Sequence, residues 1–253
     1  MPGVLSKLPA HHRLLHLGEI ESTNREAMRL ALAGDGGPLW VLADRQTAGR
    51  GRSGRVWSSE PGNLFASLLV TLASPSAKAY QLSLVTGVAV IDAIGEFGCL
   101  RPGAALRLKW PNDILIGGAK TGGILVETTS TGGDLKSVIG IGLNLGSHPE
   151  GIEPAATHLG AHGRTPEAAA ILAPIAASLE VWLATWQEGA GFAAVRAAWL
   201  ERAGPPGERC TVKTGEALIT GSFIGMDGNG ALILLDSDGR ERRYDFGDVT
   251  LSP

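Results

Sequence analysis

The stretch LRLKWPNDILIGGAKTGGILVE, residues 106–127, decides between fold classes. Three short apolar runs, Leu106–Lys109, Asp113–Ile116 and Gly123–Glu127, are separated by a Pro-Asn-Asp turn and by the glycine-containing turn GGAK. Proline fixes φ, Asn and Asp close turns, and glycine supplies left-handed backbone, so runs broken this way predict strands joined as hairpins. Strands that neighbour one another through tight turns argue for an α+β fold over a doubly wound parallel one.

Outward from that stretch the pattern stays mixed. Upstream, Leu64–Leu72 and Leu39–Ala43 read as buried strands. Residues 78–98 carry a helical period, interrupted by Gly87 and ended near Gly98. Thr23-x-x-Glu26 reads as a capping box for a helix through Ala27, Met28, Leu30 and Ala31 that stops at Gly34. Downstream, Val138–Leu145 is another strand, and Pro166 to about Ala203 is helical, with Pro174 near a start or a kink. Gly204-Pro205-Pro206-Gly207 is a rigid break. It divides a large unit, 14–203, from a small one, 205–253, whose short strands and turns predict a barrel or sandwich.

The 253 residues, 44% hydrophobic and 19% charged, are those of an ordinary globular chain and exclude a disordered one. A formal charge of -3 gives no sign of a nucleic-acid partner. Glycine is in excess, 36 residues with no Gly-X-Y period, which excludes collagen. Cys99 and Cys210 stand far apart without CxxC or Cys/His spacing, so neither a disulfide framework nor a zinc site follows, and a reducing cytoplasm is expected. The first twenty residues lack the apolar region and cleavage site of a leader, and no apolar run approaches membrane-spanning length. His158 and His162 sit four apart, but in a glycine-broken loop without a nearby carboxylate, and no metal site is expected.

Gly49-Arg50-Gly51-Arg52-Ser53-Gly54 satisfies GxGxxG literally. A dinucleotide fingerprint needs a helix directly after it and an acid about 20 residues on; here RVWSSEPGN follows and Leu64–Ala73 supplies no acid. Asp245-Phe246-Gly247 likewise matches a kinase DFG, without the catalytic-loop motif or room for an activation segment. What neither template explains is the spacing of Arg50, Arg52 and Arg55 through the glycines. A solvated basic loop is one reading. The other is an anion cradle, in which glycine lets backbone N–H groups approach while guanidinium forks hold phosphate or carboxylate oxygens.

The order of the motifs separates these readings. Ser22-Thr23-Asn24, then QTAGRGRSGRVW over 46–57, KWPND over 109–113, Lys120-x-x-Gly-Ile-Leu-Val-Glu127 and finally GIGLN over 140–144 closely resemble the biotin–protein ligases, of the biotin/lipoate ligase superfamily. The resemblance implies a mixed β-sheet flanked by helices, with a small C-terminal SH3-like β-barrel. It implies ATP and biotin as substrates, Mg²⁺ delivered with ATP, and a biotin carboxyl carrier domain of a carboxylase as acceptor. Activation gives biotinyl-5′-AMP and pyrophosphate, and an acceptor lysine then releases AMP.

By the same resemblance, Ser22, Thr23, Asn24 and Gln46 line the biotin pocket, joined by Arg50, Gly51, Arg52, Lys120 and Gly123. Arg52, Arg55, Trp57, Asn112, Lys120 and Asn144 face the nucleotide. Lys120, Arg52 and Arg55 carry the catalytic charge, and Asp113 orients the incoming amine or helps to deprotonate it. The arginine loop, 48–57, is expected to order on the ligand. Relatives with an N-terminal helix-turn-helix bind DNA; only 21 residues precede Ser22, so neither DNA nor a membrane is expected as a partner, and a homodimer is possible by analogy. The chain departs from the family pattern at Gly146, at Ser53 and in its ending VTLSP, which lacks a basic residue. Two rivals remain: a lipoate or other acyl ligase, and a non-catalytic biotin-binding module.

Overall fold

The computed structural model describes residues 7–73, 78–131 and 133–251; the first six residues and the last two of VTLSP lie outside them. In chain order its elements are β1 Arg13–Ile20, α1 Thr23–Leu32, β2 Leu39–Gln46, β3 Leu64–Leu72, α2 Gln81–Phe97, β4 Leu106–Lys109, β5 Asp113–Ile116, β6 Ala119–Thr131 and β7 Asp134–Leu143. Helices α3, Ala168–Trp186, and α4, Phe192–Glu201, follow. The C-terminal strands are β8 Arg209–Thr214, β9 Ala217–Met226, β10 Leu232–Leu235, β11 Glu241–Tyr244 and β12 Asp248–Leu251.

The hairpins expected across 106–127 are present: β4, β5, β6 and β7 pair antiparallel in sequence order. They form one side of a seven-stranded mixed sheet, β1-β2-β3-β7-β6-β5-β4. The strand absent from the sequence reading is β1, which pairs parallel with β2 at the sheet edge. Its exposed and half-buried residues give a weak alternation, as an edge strand does. The last five strands make a separate antiparallel sheet, β11-β10-β9-β8-β12.

Register sorts the main sheet's side chains onto two faces. Trp40, Leu42, Leu64, Leu68, Ile139 and Ile141 point to the face covered by α2, α3 and α4, where the large core lies. Leu39, Val41, Leu69 and Val138, the intervening residues, meet Ala27 and Ala31 of α1 on the other face. Helix α3 is long and apolar enough to cross a membrane by composition. Its Ile171, Leu172, Ile175, Leu179 and Trp186 are instead buried in that core. Left-handed Gln187 and Glu188 break the expected helical stretch into α3 and α4, and Pro174 is accommodated inside α3. Cys99 and Cys210 are free and buried; burial raises both thiol pKa values, that of Cys210 to about 11.

The capping box is not formed as expected. Thr23 is the first residue of α1, after Ser22, and Glu26 pairs with Arg29. The Thr23 N–H, one of the unsatisfied donors of the helix start, donates 2.8 Å to Gln46 Oε1 from β2. Tertiary structure supplies the cap, which frees the 22–24 side chains for a cavity.

Candidate active site

The α1 face of the sheet is built in rows. Leu39, Leu69 and Val138 lie under the body of α1. The next row, Val41, Ser67, Gly140 and Leu125, meets the start of the helix. Ala43, Phe65, Gly142, Gly123 and Asp113 form a third row past the helix end. Phe65, Gly142, Gly123 and Asp113 of that row floor a cavity of about 500 Å³, roofed by the 50–58 loop, within the usual range for small-molecule sites.

At the inner end of the cavity Thr23 and Asn24 are buried, backed by buried Ser67 of β3. The Ser67 hydroxyl lies 2.6 Å from Asn24 Oδ1 and 2.8 Å from Thr23 Oγ1. Asn24 Nδ2 donates to Glu127 and to Leu125 O, and Gln46 Nε2 to Ser59 Oγ. Four short polar side chains are thus held in one orientation, together with the buried Ser22 that also lines the cavity.

Two glycines of GIGLN are explained by what sits on them. A Cβ at Gly140 would stand 2.1 Å from Asn24 Oδ1, and one at Gly142 2.6–2.9 Å from the Trp57 indole. The indole also covers Gly123, 3.1 Å from a Cβ there, and Lys120 Nζ lies 5.7 Å from its ring centroid. The nearest neighbours of a Cβ at Gly140 and at Gly142 are therefore Asn24 and Trp57. Trp57 Nε1 is buried without a hydrogen-bond partner. Such donors are rare in native proteins, and this one is packed over the Gly142 backbone.

On the opposite wall Asp113, 8% exposed, stands between two lysines: Lys120 Nζ at 2.5 Å and Lys109 Nζ at 2.7 Å. Burial works to raise its pKa, but the charges of Lys120 and Lys109 outweigh it and hold the carboxyl below the usual carboxylate range. Lys109 also donates to Val249 O of the C-terminal sheet.

The roof carries the arginines. Arg50 is paired with both oxygens of Glu127, at 3.0 and 2.9 Å. Arg52 donates to Asn112 Oδ1 and to Gly247 O, while Arg55 meets Asp248 at 2.5 Å. Ser53 is left-handed at φ 55, a conformation that fits a short polar residue at the loop tip. Every site residue singled out in the sequence lines this one cavity: Ser22, Thr23, Asn24, Gln46, Arg50, Gly51, Arg52, Arg55 and Trp57 from the first half, Asn112, Asp113, Lys120, Gly123 and Asn144 from the second.

Two of them are already engaged. Asn112 Nδ2 donates to Ile124 O, and buried Asn144 Nδ2 to Thr157 O. Gly146 is not among the lining residues; its N–H and those of Leu145 and Ser147 converge on Asn63 Oδ1. His158 and His162 do not face one another as ligands: His158 contacts His148, and His162 contacts Thr157 Oγ1. The sequence reading missed the C-terminal sheet, which closes one end of the cavity with Thr211, Lys213, Leu218, Asp248, Val249 and Thr250.

An open sheet row walled by two lysines and roofed by three arginines is an arrangement that can bring anionic groups together. The family profile for the Biotin/lipoate A/B protein ligase family matches residues 19–144, and that for the Biotin protein ligase C terminal domain matches 207–252. A biotin–[acetyl-CoA-carboxylase] ligase of Paracoccus denitrificans is 41% identical over 89% of this chain and 95% of its own. A biotin protein ligase from Aquifex aeolicus, in complex with biotin and ATP, superposes with a TM-score of 0.78 at 29% identity, over 95% of this chain and 98% of that one. One from Leishmania major, in complex with biotinyl-5-AMP, gives 0.64 at 25% identity, over 92% and 99%. The chain belongs to the biotin/lipoate A/B protein ligase family, and within it to the biotin–protein ligases.

Proposed function

We propose that the cavity under the arginine loop is where this chain joins biotin to ATP and from which it passes biotin to a carrier lysine. In the first step a biotin carboxylate oxygen bonds to the α-phosphorus, the bond to the β-phosphate oxygen breaks, and pyrophosphate leaves. In the second an acceptor amine bonds to the acyl carbon, AMP leaves, and the amine gives up a proton. The carrying observation is that Lys120, Arg50, Arg52 and Arg55, from segments far apart in sequence, line one cavity. Two anions cannot approach without fixed positive charge, and each such donor is worth about 2.7–4 kcal/mol of barrier.

The fixed polar set Ser22, Thr23, Asn24 and Gln46 suits the ureido ring of biotin, with Gly51 and Gly123 backbone and Arg50 beside it. Lys120 and Arg52 serve the carboxylate and the α-phosphate; Arg52 and Arg55 hold phosphate oxygens. Trp57, which lines the cavity, presents an indole face to the adenylate. Asn112 and Asn144, whose amide nitrogens are engaged, keep the segments of the nucleotide side in place. Asp113 is a poor proton acceptor, because its carboxyl is held low; orienting Lys120 is the role its contacts support.

Of the acids lining the cavity, Asp113 and Asp248 are ion-paired, which leaves Glu153. That is no metal cage, and Mg²⁺ arrives as part of MgATP, held by phosphates and water. The acceptor is a biotin carboxyl carrier domain, and residues 14–203 and 205–253 act as a catalytic unit and an appended one. Two buried free thiols are in keeping with work in the cytoplasm. Pyrophosphate exchange into ATP tests the reading. Exchange is expected with biotin and not with lipoate or alone; exchange with lipoate only, or without either acid, would overturn it.

A further inference from the structure

Asp248 opens β12, on the far sheet, and yet its carboxylate belongs to the arginine loop. Its Oδ2 lies 2.5 Å from Arg55 Nη2, 193 residues away in sequence, and its Oδ1 3.8 Å from Arg52 Nη1. The preceding Gly247 O accepts from Arg52 at 3.2 Å. Lys213 on β8 is the register partner of Asp248, but among the described residues the ion pairs of that carboxylate are with Arg52 and Arg55. Meanwhile Lys109 Nζ, from the catalytic wall, donates 2.8 Å to Val249 O, which ties β12 to the cavity from the other side. The carboxylate is about a quarter exposed (27%) and lines the cavity next to the two guanidinium groups.

These contacts bear on a difficulty in the reaction. While ATP is bound, Arg52 and Arg55 have a polyphosphate to hold. Once biotinyl-5′-AMP has formed, most of that charge leaves with pyrophosphate, and what remains is a mixed anhydride that water can cleave. A loop held only by phosphates would open at that moment. We propose that Asp248 is the positioning residue that takes over from pyrophosphate: its carboxylate receives the guanidinium groups of Arg55 and Arg52 and keeps the loop closed over the adenylate until the carrier lysine arrives. This rests on the reaction proposed above. The pairing is partly exposed, and such pairs are weak enough for an incoming triphosphate, with several oxygens to offer, to displace. The carboxylate holds the loop when phosphate is gone and gives way when it returns.

The test follows Asp248→Asn and Asp248→Glu in the full chain. Biotinyl-adenylate is formed on the enzyme, pyrophosphate is removed, and loss of the adenylate is timed by single-turnover chase. Loss is expected about fivefold faster in Asp248→Asn, with a smaller change in the KM for ATP, and near the parent rate in Asp248→Glu. Trypsin supplies a readout that needs no ligand, since it cuts after arginine: the free Asp248→Asn protein should be cut within 50–55 faster than the parent at equal melting temperature. Equal adenylate lifetimes in parent and Asp248→Asn, with biotin-dependent exchange intact, overturn the role of Asp248 and leave the ligase reading standing. A lower KM for ATP with an unchanged lifetime would make Asp248 a competitor of ATP and also overturn it. A parent without biotin-dependent exchange sinks the ligase reading itself, and this step with it.

Discussion

The lysine wall and the arginine roof of the cavity carry the same charge in opposite ways. Lys109, Asp113 and Lys120 sit on neighbouring strands with side chains 9%, 11% and 27% exposed, and Lys109 faces Asp113 directly in the β4–β5 register. Arg50 and Arg55 sit on a loop, with side chains 45% and 62% exposed, and are held by acids from other elements. Buried charge is expensive to misplace, so the wall is rigid by construction. Exposed pairs contribute about 0–1 kcal/mol, so the roof is free to exchange one anion for another. A site that must both fix a reacting carboxylate and release a product has use for each kind.

Four substitutions would break or sharpen that contrast. Lys120→Ala should lower biotin-dependent pyrophosphate exchange by about 10²–10³, the range for a lost oxyanion donor; an enzyme within a few-fold of the parent would show that the wall does not carry the chemistry. Asp113→Asn leaves two lysines facing each other and should cost about 3–5 kcal/mol in denaturant unfolding. Its carboxyl is held below its ordinary 3.8, so that stability is present above this value and is lost as the pH falls through the lower folded value. The stability gap between parent and variant should therefore narrow on acidification, and a gap that stays constant as the pH falls would point to packing in place of charge.

Gly142→Ala puts a methyl against the Trp57 indole and should destabilise by about 1–3 kcal/mol, with a shifted tryptophan emission; an unshifted spectrum would mean that the indole does not rest there. Arg55→Ala should change unfolding free energy by less than about 0.5 kcal/mol while raising the KM for ATP. A large stability loss there would make the roof as structural as the wall. The loop should also gain protection from protease on binding biotinyl-adenylate; equal cleavage rates with and without it would remove the mobile half of the contrast.

What could be read from the chain follows the same division. The hairpins of 106–127, the strands of the main sheet and the helix closed by left-handed Gly98 are local events, and local signals found them. Strand β1 escaped because an exposed edge strand has little apolar pattern to show. The capping box failed because Gln46 displaced it, a contact between residues 23 apart that no window of sequence contains. The glycines of GIGLN were noticed, but their neighbours are Asn24 of α1 and Trp57 of the arginine loop, which the tertiary fold lays over β7. Asp248 carried no signal: an acid at the start of a small strand looks like any surface residue until the second sheet is set against the first.

The two cysteines, absent from the chemistry, have a practical value of their own. Both are buried with thiols that resist ionisation, Cys210 with a pKa near 11, so neither should react readily with maleimide at neutral pH. A single cysteine placed at Val56, 86% exposed on the arginine loop, would therefore take a dye or spin label alone. The native chain already offers the silent background that site-directed spectroscopy of that loop requires.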